Sequence, residues 1–196
     1  MSFIRSALAA AAFLALSQGA IDTAFAAGNQ DMLVLKLKDG NVDIQLRPDL
    51  APKHVAQIEK LVRDGAYNGV AFHRVIPGFM AQTGDVQYGN MDKGYDPSRV
   101  GTGGSKYPNI PAEFSKEPFV RGTVGMARSQ DPNSANSQFF IMFADGPFLN
   151  GQYTVVGKVV SGMNVVDKIK KGSEANNGSV DKPDKIIKAT LQAGKK

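Results

Sequence analysis

The sequence predicts a mainly β protein: a closed eight-stranded antiparallel β-barrel capped by two α-helices. Eight short segments are rich in alternating apolar residues, and turns containing Gly, Pro, Asn and Asp separate them. Two further segments repeat apolar residues at helical spacing. We find no internal repeat and no long Pro/Ser linker, so a single sheet that closes on itself is the architecture that best protects its strand edges.

The elements follow in order along the chain. Strands are expected at residues 32–37 and 42–46, on either side of a hairpin turn at Asp39-Gly40-Asn41. A helix begins at Pro52, repeats apolar residues up to Val62, and ends at the C-capping Gly65. The remaining strands are expected at residues 71–75, 80–83, 123–127, 138–142, 154–160 and 186–191, and a second, shorter helix around residues 165–169 is stopped by Gly172.

The first 26 residues have the order of a secretory signal peptide. Arg5 precedes an apolar run over residues 7–16, and Ala24-Phe25-Ala26 forms a small-x-small cleavage site. This run is shorter than the about 20 apolar residues of a membrane-spanning helix. We therefore expect cleavage before Ala27, leaving residues 27–196 as one domain without a stable membrane span. Retention as an N-terminal anchor is the alternative.

Composition excludes several function classes. The chain has no cysteine, so it contains neither a disulfide nor a reactive thiolate. Its net charge is +5, but only the C-terminal tail concentrates lysines, which favours a solvated basic surface over a nucleic-acid site. The segment GTGGSK, which begins at Gly101, does not fit either glycine-rich nucleotide motif. His54 and His73 have no carboxylate at metal-ligand spacing, so we expect no metal and no cofactor.

The segment FHRVIPGFMAQTGD, residues 72–85, places Arg74 among alternating apolar residues. Gln82 lies on the same strand face as Met80, and SQFFIM at residues 137–142 adds an amide and two aromatic rings. Neither segment offers a nucleophile beside a base. Any chemistry should therefore depend on a hydrogen-bond donor that faces an apolar pocket. His73 should point away from Arg74 as a structural, hydrogen-bonded histidine. Elsewhere in the chain, Asn177-Gly178-Ser179 has the form of a glycosylation acceptor, but we interpret it as a turn.

Four motifs occur in one register: FHRVIPGFMAQTGD, GTGG, GTVGMARSQDPNSANSQFFI and FLNGQYTVVGKVVSGMNVVDKI. In order and spacing they resemble the cyclophilin-type peptidyl-prolyl cis-trans isomerases, and they look closest to exported bacterial members. The resemblance covers residues 32–191. It implies a cyclophilin-like barrel whose substrate groove lies on the outer wall, and a periplasmic location.

The resemblance also implies the site residues. Arg74 and Gln82 match catalytic positions. The substrate-binding positions are matched by Phe79, Met80, Gly101, Ala127, Arg128, Ser129, Gln138, Phe140, Phe148, Leu149 and Tyr153. Phe148 stands where many eukaryotic members have tryptophan, Tyr153 where many have histidine, and Arg128 replaces a common asparagine. We therefore expect a cyclosporin-type peptide to bind weakly if at all.

These observations predict a monomeric isomerase that accelerates rotation of X-Pro bonds in exported proteins. Its partners would be proline-containing polypeptides, with no nucleic acid and no cofactor. The alternative is a catalytically weak chaperone or peptide-binding module built on the same barrel. A hydrolase is disfavoured because the chain contains neither G-x-S-x-G nor H-E-x-x-H.

Overall fold

The structure, a computed structural model, describes residues 32–193, so the predicted signal peptide lies outside the described residues. The elements in chain order are β1 (Met32–Leu37), β2 (Gly40–Leu46), α1 (Pro52–Arg63), β3 (Arg74–Ile76), β4 (Met80–Thr83), β5 (Thr123–Met126), β6 (Phe139–Met142), β7 (Val155–Ser161), α2 (Met163–Val166) and β8 (Lys188–Gln192). Short 3₁₀ turns cover Pro147–Leu149 and Glu174–Asn176. Within residues 32–193, no helix is long and apolar enough to cross a membrane.

All eight strands belong to one antiparallel sheet, in the order β3-β4-β6-β5-β7-β2-β1-β8. The predicted strand number, strand direction and helix number are therefore confirmed. The second helix is shorter than expected: α2 ends at Val166, and Gly172 lies well beyond it. The β1–β2 hairpin is also confirmed, although Gly40 is already the first residue of β2 and pairs with Leu37.

The prediction of a closed barrel is wrong: the sheet curls into a half-barrel. Among the described residues, β3 pairs in a ladder only with β4, and β8 only with β1. Irregular backbone contacts occupy the gap instead, including a single bridge between Ala71 and Lys185 and a hydrogen bond from Phe72 N to Asp184 O at 2.8 Å. Residues 71–73, expected to begin β3, use their backbone groups for these contacts, so β3 starts at Arg74.

The concave face of the sheet holds the main hydrophobic core. Helix α1 contributes Ile58 and Leu61, and α2 contributes Val165, to a cluster that contains buried residues of all eight strands. Burial of this apolar face stabilises the fold without any covalent cross-link. The opposite face of β4, β6, β5 and β7 carries a second, smaller apolar cluster around Phe140, and the candidate site lies there.

A carboxylate from a distant loop caps the start of α1. The N-capping Ala51 has no side-chain acceptor, but Glu113 accepts hydrogen bonds from the backbone N–H of Lys53 at 3.2 Å and of His54 at 3.1 Å. The Glu113 carboxylate also lies 2.6 Å from Nδ1 of the fully buried His54. Glu113 thus satisfies two of the N–H groups that the first turn of a helix leaves unpaired.

Candidate active site

Strand register brings the predicted site residues together on the outer face of the sheet. Arg74 of β3 pairs with Gln82 of β4, which pairs with Phe140 of β6, which pairs with Gly125 of β5. Because side chains alternate along a strand, these residues share one face while their sequence neighbours enter the core. The register therefore places a cation, an amide and an aromatic ring in one row across the sheet.

Gly125 makes room for the aromatic end of this row. A Cβ atom at this position would lie 2.6 Å from both Phe119 Cε1 and Phe140 Cζ. Phe140 stacks on Phe119 with ring centroids 5.7 Å apart, and the ring of Tyr153 meets Phe140 edge-on at 5.8 Å. The missing side chain of Gly125 lets the rings of Phe119 and Phe140 lie close against the sheet.

Two adjoining cavities form a groove over this face. The first, of about 390 Å³, is lined by Arg74, Phe79, Met80, Gln82, Ala127, Arg128, Phe140, Phe148, Leu149, Gln152 and Tyr153. The second, of about 400 Å³, is lined by Gln82, Gly101, Thr102, Gly103, Ala127, Arg128, Ser129, Ser134, Asn136, Ser137 and Gln138. All thirteen predicted site residues line one or both cavities, whose shared boundary is Gln82, Ala127 and Arg128. Their roles remain predictions.

A larger cavity, of about 580 Å³, lies elsewhere, between the end of α1 and the connection that follows β4. Its lining includes Asp64, Lys93 and Tyr107, and it contains none of the thirteen predicted residues. Volume alone would favour this cavity. We place the candidate site in the groove, because the groove combines a half-buried cation with a contiguous apolar wall.

The apolar wall of the first cavity is built from Met80, Phe140 and Leu149, which are all buried. Phe148 lies at the rim, 65% exposed, with its ring centroid 5.5 Å from that of Phe79. A small apolar ring such as that of proline could therefore be enclosed on one side and leave the other accessible. Phe148 has no N–H to donate, and weak binding of a cyclosporin-type peptide stays a prediction.

A chain of hydrogen bonds links Arg74 to the glycine loop, residues 101–104. Arg74 Nη1 donates to Gln82 Oε1 at 3.2 Å, and Gln82 Nε2 donates to Gln138 Oε1 at 2.9 Å. Gln138 Nε2 then donates to the carbonyls of Gly101 at 3.0 Å and Gly103 at 2.8 Å. Because the final acceptors are carbonyls, both amides have only one orientation that satisfies every partner. Each amide therefore orients the next, from the glycine loop to the cation.

Asp85 anchors this loop, a role that the sequence analysis missed. The carboxylate is fully buried and accepts four backbone hydrogen bonds, from Gln87 at 3.1 Å, Tyr88 at 2.9 Å, Gly101 at 2.7 Å and Gly103 at 3.0 Å. Its position two residues after the end of a strand, before a glycine-rich stretch, was the available signal. The carboxylate thus joins the start of the connection, at Gln87 and Tyr88, to the glycine loop at Gly101 and Gly103.

Asn177 is the second missed residue. Its backbone oxygen accepts from Arg74 Nε at 3.0 Å, and its Oδ1 accepts from Arg74 Nη2 at 2.9 Å. Asn177 and Gly178 both have positive φ, 52° and 78°, so the predicted Asn-Gly turn is confirmed. The sequence contained no signal that this turn would lie beside Arg74, 103 residues away.

Arg128 and Tyr153 form the boundary between the cavities. The Arg128 guanidinium lies 4.4 Å from the centre of the Tyr153 ring, and its Nη2 donates to Gln152 O at 2.9 Å. The backbone N–H of Ala127 donates to Gln138 O at 2.9 Å. The side chain of Arg128 is therefore occupied by contacts within the protein.

Burial lowers the pKa of the half-buried Arg74, against a smaller opposing effect of Tyr153, but an arginine remains charged in proteins.

His73 differs from the prediction in one respect. It is buried and packs beneath Gly101, away from the groove, as expected. The expected hydrogen bond is missing: within residues 32–193, neither ring nitrogen has a partner of normal geometry. Burial lowers the pKa of His73, although the Asp85 carboxylate and the Ala71 carbonyl act in the opposite direction. The neutral ring therefore serves as packing.

Acid is expected to destabilise the fold. Burial lowers the pKa values of His54 and His73 below 6.5, so the unfolded chain binds protons first as the pH falls. Burial would raise the pKa of Glu113, but hydrogen bonds from His54 and Lys53 outweigh it and hold the pKa below 4.5. All three groups thus favour unfolding on acidification. The free energy of unfolding should decline from pH 6.5 through pH 4.5, measured by urea titration.

The Glu113→Gln variant is the matched control, because it keeps an acceptor oxygen for the helix and removes the carboxyl group. Its stability should change less with pH below 4.5 than that of the unmodified chain. Equal or greater stability of the unmodified chain at pH 5 than at pH 7.5 would contradict the assignment of these groups.

This chain is similar to known proteins in sequence and in fold. The family model described as cyclophilin type peptidyl-prolyl cis-trans isomerase/CLD matches residues 32–191. A probable peptidyl-prolyl cis-trans isomerase of Brucella suis is 81% identical over 196 residues, covering 100% of both chains. Peptidyl-prolyl cis-trans isomerase A of Dickeya dadantii is 39% identical over 174 residues, covering 86% of each chain.

Among solved structures, the cyclophilin AquaCyp293 from Hirschia baltica aligns with a TM-score of 0.68 and 27% identity, over 82% of this chain and 73% of that one. The family match and the first relative each cover more than two thirds of the chain. Together with the half-barrel and the groove on its outer face, they establish that this chain belongs to the cyclophilin-type peptidyl-prolyl cis-trans isomerases.

Proposed function

We propose that the protein catalyses rotation about X-Pro bonds in exported polypeptides, with Arg74 donating a hydrogen bond to the prolyl nitrogen in the twisted transition state. The observation that carries this proposal is the half-buried Arg74 guanidinium, held by Gln82 on one side and Asn177 on the other, beside an apolar pocket. Proline-containing segments are the substrate that such a pocket and donor suit.

The physical basis is the loss of amide resonance. A planar amide shares its nitrogen lone pair with the carbonyl, which creates a rotation barrier of about 18 to 20 kcal/mol. At the midpoint of rotation that lone pair is free to accept a hydrogen bond. A guanidinium N–H therefore binds the transition state better than the planar ground state, as catalysis requires. No proton is transferred.

The required stabilisation is moderate. Uncatalysed isomerisation takes roughly 10 to 100 s, and accelerating it about 10⁵-fold would require about 7 kcal/mol. One preorganised donor contributes about 3 to 4 kcal/mol. The remainder would come from Phe79, Met80, Phe140 and Leu149, which exclude water and hold the proline ring while the acyl side turns.

A protease-coupled assay tests the function. The purified chain should accelerate cis-to-trans conversion of a short chromogenic X-Pro peptide that the protease cleaves only in the trans form. A chain that binds the peptide without accelerating its conversion would instead be the alternative, a chaperone or peptide-binding module on the same fold.

The catalytic efficiency is expected to be independent of pH near neutrality. Arg74 stays charged, no general base takes part, and burial keeps His73 neutral. We expect kcat/KM to vary less than about twofold between roughly pH 6 and 8, the range in which an exposed histidine titrates. A bell-shaped profile in this range, measured with the coupled assay, would instead assign a role to His73.

Export is the second part of the proposal. The charge, apolar run and Ala24-Phe25-Ala26 site of the first 26 residues support secretion into a bacterial periplasm. Mass spectrometry of the protein recovered from the periplasm of a bacterial host should find Ala27 as its first residue. A chain that retains Met1 in the membrane fraction would support the anchor and exclude cleavage at this site.

A further inference from the structure

The loop of residues 174–180 lies beside β3. It forms hydrogen bonds with the backbone on both sides of Arg74. Val75 N donates to Gly178 O at 2.7 Å, and Val180 N donates to His73 O at 3.1 Å. A Cβ atom at Gly178 would lie 2.5 Å from Ile76 Cγ1, so the loop packs against β3 as closely as a glycine allows. This attachment fixes the position of Asn177 relative to β3, the strand that carries Arg74.

Asn177 presents two oxygens to one side of the Arg74 guanidinium. Its backbone carbonyl accepts from Nε and its Oδ1 accepts from Nη2, while Gln82 accepts from Nη1 on the other side. A guanidinium has five N–H groups, of which these contacts use three. Among residues 32–193, no acceptor takes the second N–H of Nη1 or of Nη2, so both remain for a bound peptide.

We propose that Asn177 is a positioning residue for the isomerase reaction: its two oxygens fix the plane of the Arg74 guanidinium, so that the two remaining N–H groups are presented to the peptide in one orientation. This inference rests on the proposed role of Arg74. Gln82 contacts only one terminal nitrogen and leaves the plane free to turn about that contact. The second side requires an acceptor that the sheet itself does not supply.

The backbone of Asn177 explains why this residue type suits the role. Its φ of 52° and ψ of 34° lie in the left-handed region, where asparagine and glycine are the residues tolerated best. Glycine would keep this conformation and the backbone oxygen, and would remove only Oδ1. The Asn177→Gly variant therefore isolates one of the two contacts without straining the loop.

The test compares Asn177→Gly with Asn176→Gly. Asn176 is the neighbouring, exposed residue of the same loop, and among residues 32–193 the hydrogen bonds of the Arg74 side chain go to Asn177 and Gln82, not to Asn176. We expect Asn177→Gly to lower kcat about threefold to tenfold, the range of one hydrogen bond, with KM and the melting temperature unchanged. Asn176→Gly should keep the kcat of the unmodified chain.

A spectroscopic measurement separates positioning from a general effect on the loop. In Asn177→Gly, the ¹⁵N–¹H signals of the Arg74 side-chain Nη2, which donates to Oδ1, should shift and exchange faster with water, and in Asn176→Gly they should not change. An unchanged kcat or unchanged Nη2 signals in Asn177→Gly would overturn this inference and leave the proposed function intact. An inactive unmodified chain would overturn both.

Discussion

Replacing Arg74 by alanine or by lysine is expected to lower kcat/KM about 10² to 10³-fold, the effect of removing one preorganised donor from an active site. Alanine removes the donor. Lysine keeps the charge, but its ammonium group cannot reproduce the planar fork that contacts Gln82 and Asn177 together. The protease-coupled assay, run beside a circular dichroism melt, measures this loss.

Arg63→Ala is the matched control for the loss of an arginine. Arg63 lies on the exposed face of α1 and forms an ion pair with Glu59 at 2.9 Å, a contact of small energetic value at a surface. This variant should keep full activity. If Arg74→Ala or Arg74→Lys retained the activity of the unmodified chain with an unchanged melting temperature, the proposed mechanism would be wrong.

The Asp85→Asn substitution is expected to cost about 2 to 6 kcal/mol of folding free energy, since two backbone amides lose their acceptor and a buried polar group without a partner costs about 1 to 3 kcal/mol. Each carboxylate oxygen of Asp85 accepts two backbone hydrogen bonds. An asparagine NH₂ group in place of either oxygen would face two N–H donors. Two partly buried amides would lose their acceptor in either orientation of the side chain.

Urea unfolding measures the change in stability, and hydrogen exchange locates it. Exchange should accelerate at two of the four amides that Asp85 binds: Gln87 and Tyr88, or Gly101 and Gly103. Activity should fall as well, because the carbonyls of Gly101 and Gly103 orient Gln138, and through it Gln82 and Arg74. The loss in activity should appear even where the variant is fully folded.

Asp145→Asn is the matched control for the loss of a carboxylate. Asp145 is exposed and accepts one backbone hydrogen bond, from Arg121 at 3.0 Å, which the oxygen of an asparagine can replace. Its free energy of unfolding should change by less than about 0.5 kcal/mol, as is usual for surface substitutions. Equal effects of the two substitutions would exclude Asp85 as the anchor of the glycine loop.

Local patterns in the sequence determined much of the fold. Alternation of apolar residues identified the eight strands, and β1 and β4 have the predicted bounds. Helical spacing after Pro52 identified α1. Alternation also placed Gln82 on the same strand face as Met80 and predicted that His73 points away from Arg74. These features depend on neighbouring residues, so a single chain segment is enough to specify them.

Contacts between distant segments could not be obtained in this way. Glu113 caps α1 from a loop 59 residues later in the chain, and Asn177 reaches Arg74 from 103 residues away. The open half-barrel also depends on distant contacts. The backbone groups of residues 71–73 bond to irregular segments such as residues 180–185 and do not form a ladder with β8. Such pairings depend on how the whole sheet curls.

The residue types of the groove were thus determined by the sequence, and their orientation was decided only by the tertiary structure. The motifs identified Arg74, Gln82 and Gln138 as site residues. They did not predict which atom of each side chain faces which partner. A hydrogen bond requires a donor and an acceptor within about 3 Å and well aligned, a condition set by strand register and loop packing. Asp85 and Asn177 meet it only because the folded chain brings separate loops to the same side chains.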